Sequence, residues 1–190
     1  MVGKRKVGLI FRLFVVLIFL MGCKDSYQYG FLLYEKGEYI EALPYLEGAC
    51  LTSSLKACMM TASVYARLEP NDMGRLKALK ALEQACLYGE SRACEIVVHT
   101  HQKKGDAILR WLDQGCQSGN PKLCFELGKA YVLGHFGSKE STLALKFFGK
   151  SCYGGNLGGC QAALEILKQD NPYSPEIAKF QSLKEKLEEK

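Results

Sequence analysis

The sequence predicts an all-α fold, an α/α solenoid of antiparallel helix pairs stapled by disulfides. Three observations lead there. Eight of the nine cysteines fall into pairs with seven residues between partners: Cys50 and Cys58, Cys86 and Cys94, Cys116 and Cys124, Cys152 and Cys160. The first members recur at intervals of 36, 30 and 36 residues, the period of a helix-pair repeat. Between them the apolar residues follow a helical period, and no segment shows strand-type alternation.

Residues 1–22 stand apart from this pattern. Lys4, Arg5, Lys6 and Arg12 make a basic start, and LFVVLIFLM at 13–21 is an unbroken apolar run. Such a run has the length of a signal-peptide core and falls short of the ~20 apolar residues that span a bilayer. The run ends Leu20-Met21-Gly22-Cys23. That ending resembles a bacterial lipobox, which implies cleavage before Cys23 and lipid on Cys23. An ordinary secretory signal whose cleavage site abuts a cysteine is the alternative. The formal net charge is +5, but four of the 25 basic residues and none of the 20 acidic ones lie in 1–22, so residues 23–190 carry +1. No electrostatic footprint for nucleic acid remains.

The helices are expected at 26–36, 38–51, 55–68, 74–88, 91–103, 106–117, 121–133, 140–153, 157–169 and 175–189. Around each first cysteine the same residue types return. One position before lie Ala49, Ala85, Gly115 and Ser151, all small; four before lie Leu46, Leu82, Leu112 and Phe148, all large and apolar. Three positions after lie Ser53, Gly89, Gly119 and Gly155. Glycine there suits the left-handed residue that closes a helix. In SGNPKLC, Gly119 stops one helix, Asn120 caps the next, and Pro121 fits its first turn. Each cysteine pair therefore straddles a tight turn between antiparallel helices. Helix ends in such a hairpin come within the Cα separation that a disulfide needs. The spacing nominates the pairs Cys50–Cys58, Cys86–Cys94, Cys116–Cys124 and Cys152–Cys160, each worth about 2.5 kcal/mol in the chain-entropy view. The odd cysteine out is Cys23. At the C-terminus, Ser174 and Pro175 start a helix with one apolar stripe, Ile177, Phe180, Leu183 and Leu187. It reads as a cap that closes the end of the array.

The stretch Cys124-Phe-Glu-Leu-Gly-Lys-Ala-Tyr131-Val-Leu-Gly134 matches C-x2-L-G-x2-Y-x2-G. With the cysteine spacing, it makes the chain resemble the Sel1-like repeat proteins, relatives of the tetratricopeptide repeat, and among them the exported Helicobacter cysteine-rich proteins. The 55–68 helix keeps Cys58, Ala62 and Tyr65 at equivalent places. The 91–103 helix departs, with Val98 and His101 where Gly and Tyr are usual, and the connection 102–106 is six residues short of the period. The 157–169 helix departs with Leu164 and Leu167. Near the N-terminus, Gly30, Gly37, Tyr39 and Ala42 look closer to a tetratricopeptide repeat. The chain is expected to divide into a signal over 1–22, a solenoid of about four repeats plus a tetratricopeptide-like N-terminal helix pair over 23–173 and a capping helix over 174–190. The repeat architecture, the lipobox and the lack of a catalytic constellation point to a scaffold at the bacterial envelope that holds a protein or peptide in its concave face. Lys24 after Cys23 suggests an outer-membrane lipoprotein; a soluble secreted or periplasmic protein is the alternative. Some members of the family are associated with β-lactam hydrolysis, so a β-lactamase acting on a β-lactam or a cell-wall peptide stands as the second functional reading.

No residue constellation supports catalysis, a cofactor or a metal. Ser53 and Lys56 fit the S-x-x-K of penicillin-recognising enzymes, but no S-D-N or K-T-G accompanies them. Ser53 also occupies a helix-terminal position. There is no CxxC, CxxCH or HExxH, and His99 and His101, two apart on a helix, face different directions. Tyr65, Trp111, Tyr131, Phe147 and Phe148 form either a binding stripe or, at this helical spacing, the inter-helix core.

Overall fold

The computed structural model describes residues 26–101, 107–135 and 137–189. The expected signal segment, Cys23 and the 102–106 connection lie outside them. The described residues hold ten helices and no strand. They are α1 (26–35), α2 (Tyr39–Leu51), α3 (Leu55–Leu68), α4 (Asp72–Leu87), α5 (Ser91–His101), α6 (Ala107–Gln117), α7 (Pro121–Leu133), α8 (Ser141–Tyr153), α9 (Leu157–Asp170) and α10 (Glu176–Glu188). The chain divides into two compact units, the first ending at Ala85 and the second beginning at Cys86.

The turns between helices have one recurring chemistry. After α2, α6 and α8, the residue three past the first cysteine takes positive φ: 76° at Ser53, 88° at Gly119 and 90° at Gly155. Its N–H donates to the carbonyl of the first cysteine, at 3.2, 3.1 and 2.9 Å. The next N–H reaches back five residues, Ser54 to Ala49, Asn120 to Gly115 and Asn156 to Ser151, at 3.0–3.1 Å. These paired bonds satisfy the last carbonyls of the outgoing helix. The same Ser54, Asn120 and Asn156 then cap the incoming helix. Ser54 Oγ accepts from Ala57 N–H, Asn120 Oδ1 from Lys122 and Leu123 N–H, and Asn156 Oδ1 from Gly159 N–H. One residue thus ends one helix and starts the next. Gly89, with φ of 92°, makes the matching bond to Cys86 after α4.

This geometry carries the four cysteine pairs. Their Cα atoms lie 4.5, 4.6, 4.5 and 4.6 Å apart and the sulfurs are bonded: Cys50–Cys58, Cys86–Cys94, Cys116–Cys124 and Cys152–Cys160. All eight cysteines are buried.

In the first unit, Leu33, Ala42, Leu46 and Val64 form the core beneath Tyr27, Tyr34, Tyr39 and Leu43. Ala62 of α3 meets Ala78 and Ala81 of α4 beside Tyr65 and Leu82. In the second unit, Phe148, Leu164, Leu167 and Phe180 pack with the Cys152–Cys160 disulfide. The small residue ahead of each first cysteine has a packing reason. Ser151 is fully buried and its Oγ donates to Pro121 O at 2.6 Å, thirty residues away. At Gly115 a Cβ would stand 2.2 Å from Leu123 Cδ1. Asn120 Nδ2 donates to Ser91 O at 3.4 Å, again one repeat away. Neighbouring hinges of the second unit are therefore in direct contact.

Two departures from the expected repeat have a plain packing explanation. Tyr131 of α7 stacks on Phe147 of α8 with ring centroids 5.3 Å apart. At the equivalent place in α5, His101 lies parallel to Trp111 at 6.3 Å. A different ring pair fills the same slot. In α7 the motif glycine, Gly128, lies under Phe148, where a Cβ would come within 2.6 Å of the ring. In α5, Val98 fills that position and is buried.

The start of α4 is Asp72 rather than residue 74. Asn71 Oδ1 accepts from Gly74 N–H at 2.9 Å, and the absent Cβ of Gly74 makes room for the Glu69 carbonyl. Gly74, expected as the first helical residue, sits inside the first turn. Pro44 also lies within α2, where it removes one helical donor.

Ser53 is the one non-glycine with positive φ among the described residues. An L residue pays roughly 1–2 kcal/mol for that conformation. Replacement Ser53→Gly is expected to raise the unfolding free energy by about 1 kcal/mol, because the gain exceeds the extra chain entropy of glycine. Denaturant unfolding of the oxidised protein measures it; an unchanged or lower midpoint contradicts it.

Candidate functional site

The structure uses most of the residues singled out in the sequence to hold the fold. Ser53 is the exposed left-handed residue after α2, and Lys56 is exposed in the first turn of α3. No groove of the first unit described below includes either. Trp111, Phe147 and Phe148 are buried and Tyr131 is half-buried against Phe147, so these four are inter-helix core, whereas Tyr65 lines a groove of the first unit. His101 is buried while His99 is exposed, as expected of residues two apart on a helix. Among the described residues no group of three or more His, Cys, Asp or Glu side chains is placed to hold a metal ion.

What the second unit does offer is a continuous face. α5, α7 and α9 follow one another along it, with α6 and α8 behind them. Between α5 and α7 runs a groove of about 370 Å³, floored by Ile108, Leu112 and Leu123 and walled by Glu95, His99 and Glu126. Between α7 and α9 lies a second, of about 270 Å³, with Val132, Leu133, Ala162 and Ile166 as its apolar lining and Lys129, Glu165 and Gln169 at its rim. Val132 and Leu133 are 41% and 62% exposed, large values for aliphatic side chains one behind the other on a helix.

Charge on this face is largely paired within it. Lys122 Nζ lies 3.3 Å from Glu95 Oε1, bridging α7 to α5. Lys129 Nζ lies 2.7 Å from Glu126 Oε2 and 5.2 Å from the Phe125 ring centroid. Both pairs are substantially exposed, so each contributes little to stability. Their effect is to leave an apolar strip bordered by both signs of charge. That is the composition of a protein-contact surface, with an apolar centre and a polar rim. Periodicity marks the helices of this face, but which apolar residues stay uncovered depends on helix packing that spacing does not reveal.

The first unit has its own groove, about 380 Å³, where Glu47, Thr61, Tyr65, Lys77, Lys80 and Gln84 meet from α2, α3 and α4. Tyr65 donates a short hydrogen bond to Glu47 Oε1. Lys77 Nζ sits 2.8 and 3.1 Å from the two Glu69 carboxylate oxygens and 5.1 Å from the Tyr65 ring centroid. Burial pushes the Tyr65 hydroxyl up to about 12, helped by the bond to Glu47 and the charges of Glu47 and Glu69. Tyr65 therefore stays a proton donor. Its partner Glu47 lies eighteen residues back on another helix, a pairing that no local pattern announces.

No protein-family model matches the sequence, and no curated protein matches it. Solved structures do resemble it in fold. A Sel1 repeat protein from Oxalobacter formigenes superimposes with a TM-score of 0.55 at 19% identity, over 86% of this chain and 73% of that one. The protective antigen c5321 of uropathogenic Escherichia coli, which displays an SLR fold, gives 0.51 at 15% identity over 88% of this chain. The chain spans 41% of that antigen's length. The fold is that of Sel1-like repeat proteins: all-helical, built of helix pairs.

The raised Tyr65 value has a stability consequence of definite sign. The folded state favours the protonated phenol, so this contribution is complete below pH 10 and is lost as pH climbs from 10 toward 12. Stability measured from pH 9 to 12 should fall less steeply in Tyr65→Phe than in the parent protein. Equal slopes would contradict the assignment.

Proposed function

We propose that the chain is an exported, lipid-anchored repeat scaffold of the Helicobacter cysteine-rich type, binding a protein or peptide partner at the bacterial envelope. One observation carries this reading. All eight cysteines after residue 23 are bonded in pairs at the hinges of a Sel1-like fold, a use of thiols that belongs to oxidising compartments. That leaves Cys23 as the one cysteine outside these pairs, just after an apolar run of signal-peptide length. On this reading 1–22 is removed, Cys23 takes lipid and 174–190 caps the repeats of 23–173. Two or more acyl chains on Cys23 give stable anchoring where one would not. Lys24 directs the lipoprotein to the outer membrane.

The partner surface is the face of α5, α7 and α9, taken as the concave side. Its uncovered aliphatic side chains, Val132 and Leu133, supply the apolar centre that a bound segment would bury, and Glu126 and Lys129 border it. A charge placed in that apolar centre would be buried unpaired on binding, which costs affinity.

Two experiments test the reading. Metabolic labelling with a fatty-acid analogue should mark the parent chain and leave Cys23→Ala unlabelled; a labelled Cys23→Ala variant refutes lipidation at that residue. A photo-crosslinker at Gln169, beside the α7–α9 groove, should trap one partner in intact cells. The double change Val132→Glu, Leu133→Glu should lower the yield at least about tenfold, equivalent to ~1.4 kcal/mol, without altering the melting temperature. An undiminished yield removes this face from the reading. Turnover of a chromogenic cephalosporin by the oxidised parent protein would replace the scaffold with the hydrolase.

A further inference from the structure

The two ends of the described chain differ in chemistry. At the C-terminus, the outward positions of α10 are mainly charged and polar, Glu176, Lys179, Gln181, Glu185 and Lys186 among them. This is the polar cap that a repeat array requires. α1 and α2 present the opposite. Tyr29 and Leu32 are each 50% exposed, Ile40 is 70% exposed and Tyr45 39%. Tyr29 and Leu32 lie three apart and so share a face of α1. The rings of Tyr29 and Tyr45 meet edge to face at 4.8 Å, and Ser26 Oγ donates to Tyr45 O at 3.5 Å, which joins the two helices into one surface. Pro44, next to Tyr45 and one turn from Ile40, is exposed as well.

The connection from Cys23 to α1 says what covers this surface. Only Lys24 and Asp25 separate Cys23 from Ser26, where the described part of α1 begins. Three residues of fully extended chain reach at most about 11 Å. The polar layer on each side of a bilayer is itself ~5–8 Å deep. A lipid on Cys23 therefore holds the start of α1 at the headgroups, with no spacer to lift it clear. Tyrosine is favoured at that depth, where its ring meets apolar chains and its hydroxyl meets water.

We propose that the α1–α2 surface is a membrane-docking face, in which Tyr29, Leu32 and Tyr45 seat in the headgroup layer of a zwitterionic bilayer. The proposal rests on lipidation of Cys23 and adds that the anchored protein lies against the membrane instead of swinging from a tether. The lipid preference follows from the rim. Glu35, Glu38 and Glu41 are exposed around the face against a single exposed lysine, Lys36, so the rim is net acidic and repels an anionic surface. Docking also fixes which part of the chain faces outward, since Tyr29 and Tyr45 cannot meet lipid while swinging freely.

The test separates docking from natural lipidation. In oxidised 23–190, the paired cysteines leave the Cys23 thiol as the only site for coupling to a maleimide phospholipid. The coupled protein is placed on phosphatidylcholine vesicles and footprinted with hydroxyl radicals. Tyr29 and Tyr45 should be oxidised several-fold more slowly than in uncoupled protein at the same concentration. Tyr173, which is 94% exposed, serves as the control and should not change. The variant Tyr29→Glu, Leu32→Glu should restore labelling of Tyr45 with an unchanged melting temperature. Unchanged rates at Tyr29 and Tyr45 on vesicles overturn the proposal. Protection that grows with protein concentration without lipid also overturns it, because the face then belongs to a second copy. Stronger protection on phosphatidylglycerol vesicles overturns the zwitterionic assignment. Failure of the lipidation reading would appear elsewhere, as natively expressed protein whose Cys23 carries no acyl mass, and leaves the vesicle result standing.

Discussion

Each hinge in this protein forces two helix ends into nine residues, from the first cysteine to the second. Within that length the chain must finish one helix, reverse, and begin another, with every backbone donor and acceptor satisfied. It does so by giving single residues two jobs. Asn120 donates its N–H to Gly115 O to close α6, and its side chain accepts the first free N–H groups of α7. Gly119 alone takes the left-handed conformation between them. The disulfide then joins the last turn of one helix to the first turn of the next, at a Cα separation of 4.5 Å. The pair spacing of eight follows from this arrangement, since a shorter or longer turn would rotate one cysteine away from the other.

Stacking follows from the hinges. Because Ser151 bonds to Pro121 O and Asn120 to Ser91 O, the start of one odd-numbered helix sits on the hinge of the next. Close approaches of this kind are the reason that Ser151 and Gly115, each just before a first cysteine, are small. They set α5, α7 and α9 in a row, and grooves open where neighbouring helices diverge above the floor of α6 and α8. Hinge geometry thus leaves a row of helices with uncovered side chains such as Val132 and Leu133. The core cysteines hold the row together and are too deeply buried to take part in chemistry at the surface.

The hinges were legible in the sequence because they are local. Cysteine spacing, a glycine three residues on in three of the four hinges and the Asn120 cap with Pro121 after it are all contained in one short window, and the structure has them doing what those residue types do. Legibility declined where a contact spans helices. Val98 and His101 read as breaks in the repeat, yet His101 against Trp111 repeats the packing of Tyr131 against Phe147. The start of α4 lies two residues ahead of the expected residue 74, because Gly74 packs on the Glu69 carbonyl from the preceding helix end. The Tyr65–Glu47 bond and the lining of both grooves on the α5–α7–α9 face are likewise tertiary. Patterns of period and spacing name the helices of a face without naming which of its side chains stay uncovered.

The central claim is that stapled hinges hold this fold, and peptide mapping of the oxidised protein 23–190, before and after reduction, tests it most directly. Four disulfides remove two hydrogens each, so full reduction should add about 8 Da. Proteolysis without reductant should yield cross-linked peptides pairing Cys50 with Cys58, Cys86 with Cys94, Cys116 with Cys124 and Cys152 with Cys160. Reduction should also bring a large drop in helical signal at moderate temperature. Free thiols at these positions, cross-links between different hinges, or a reduced chain that melts like the oxidised one would contradict the claim.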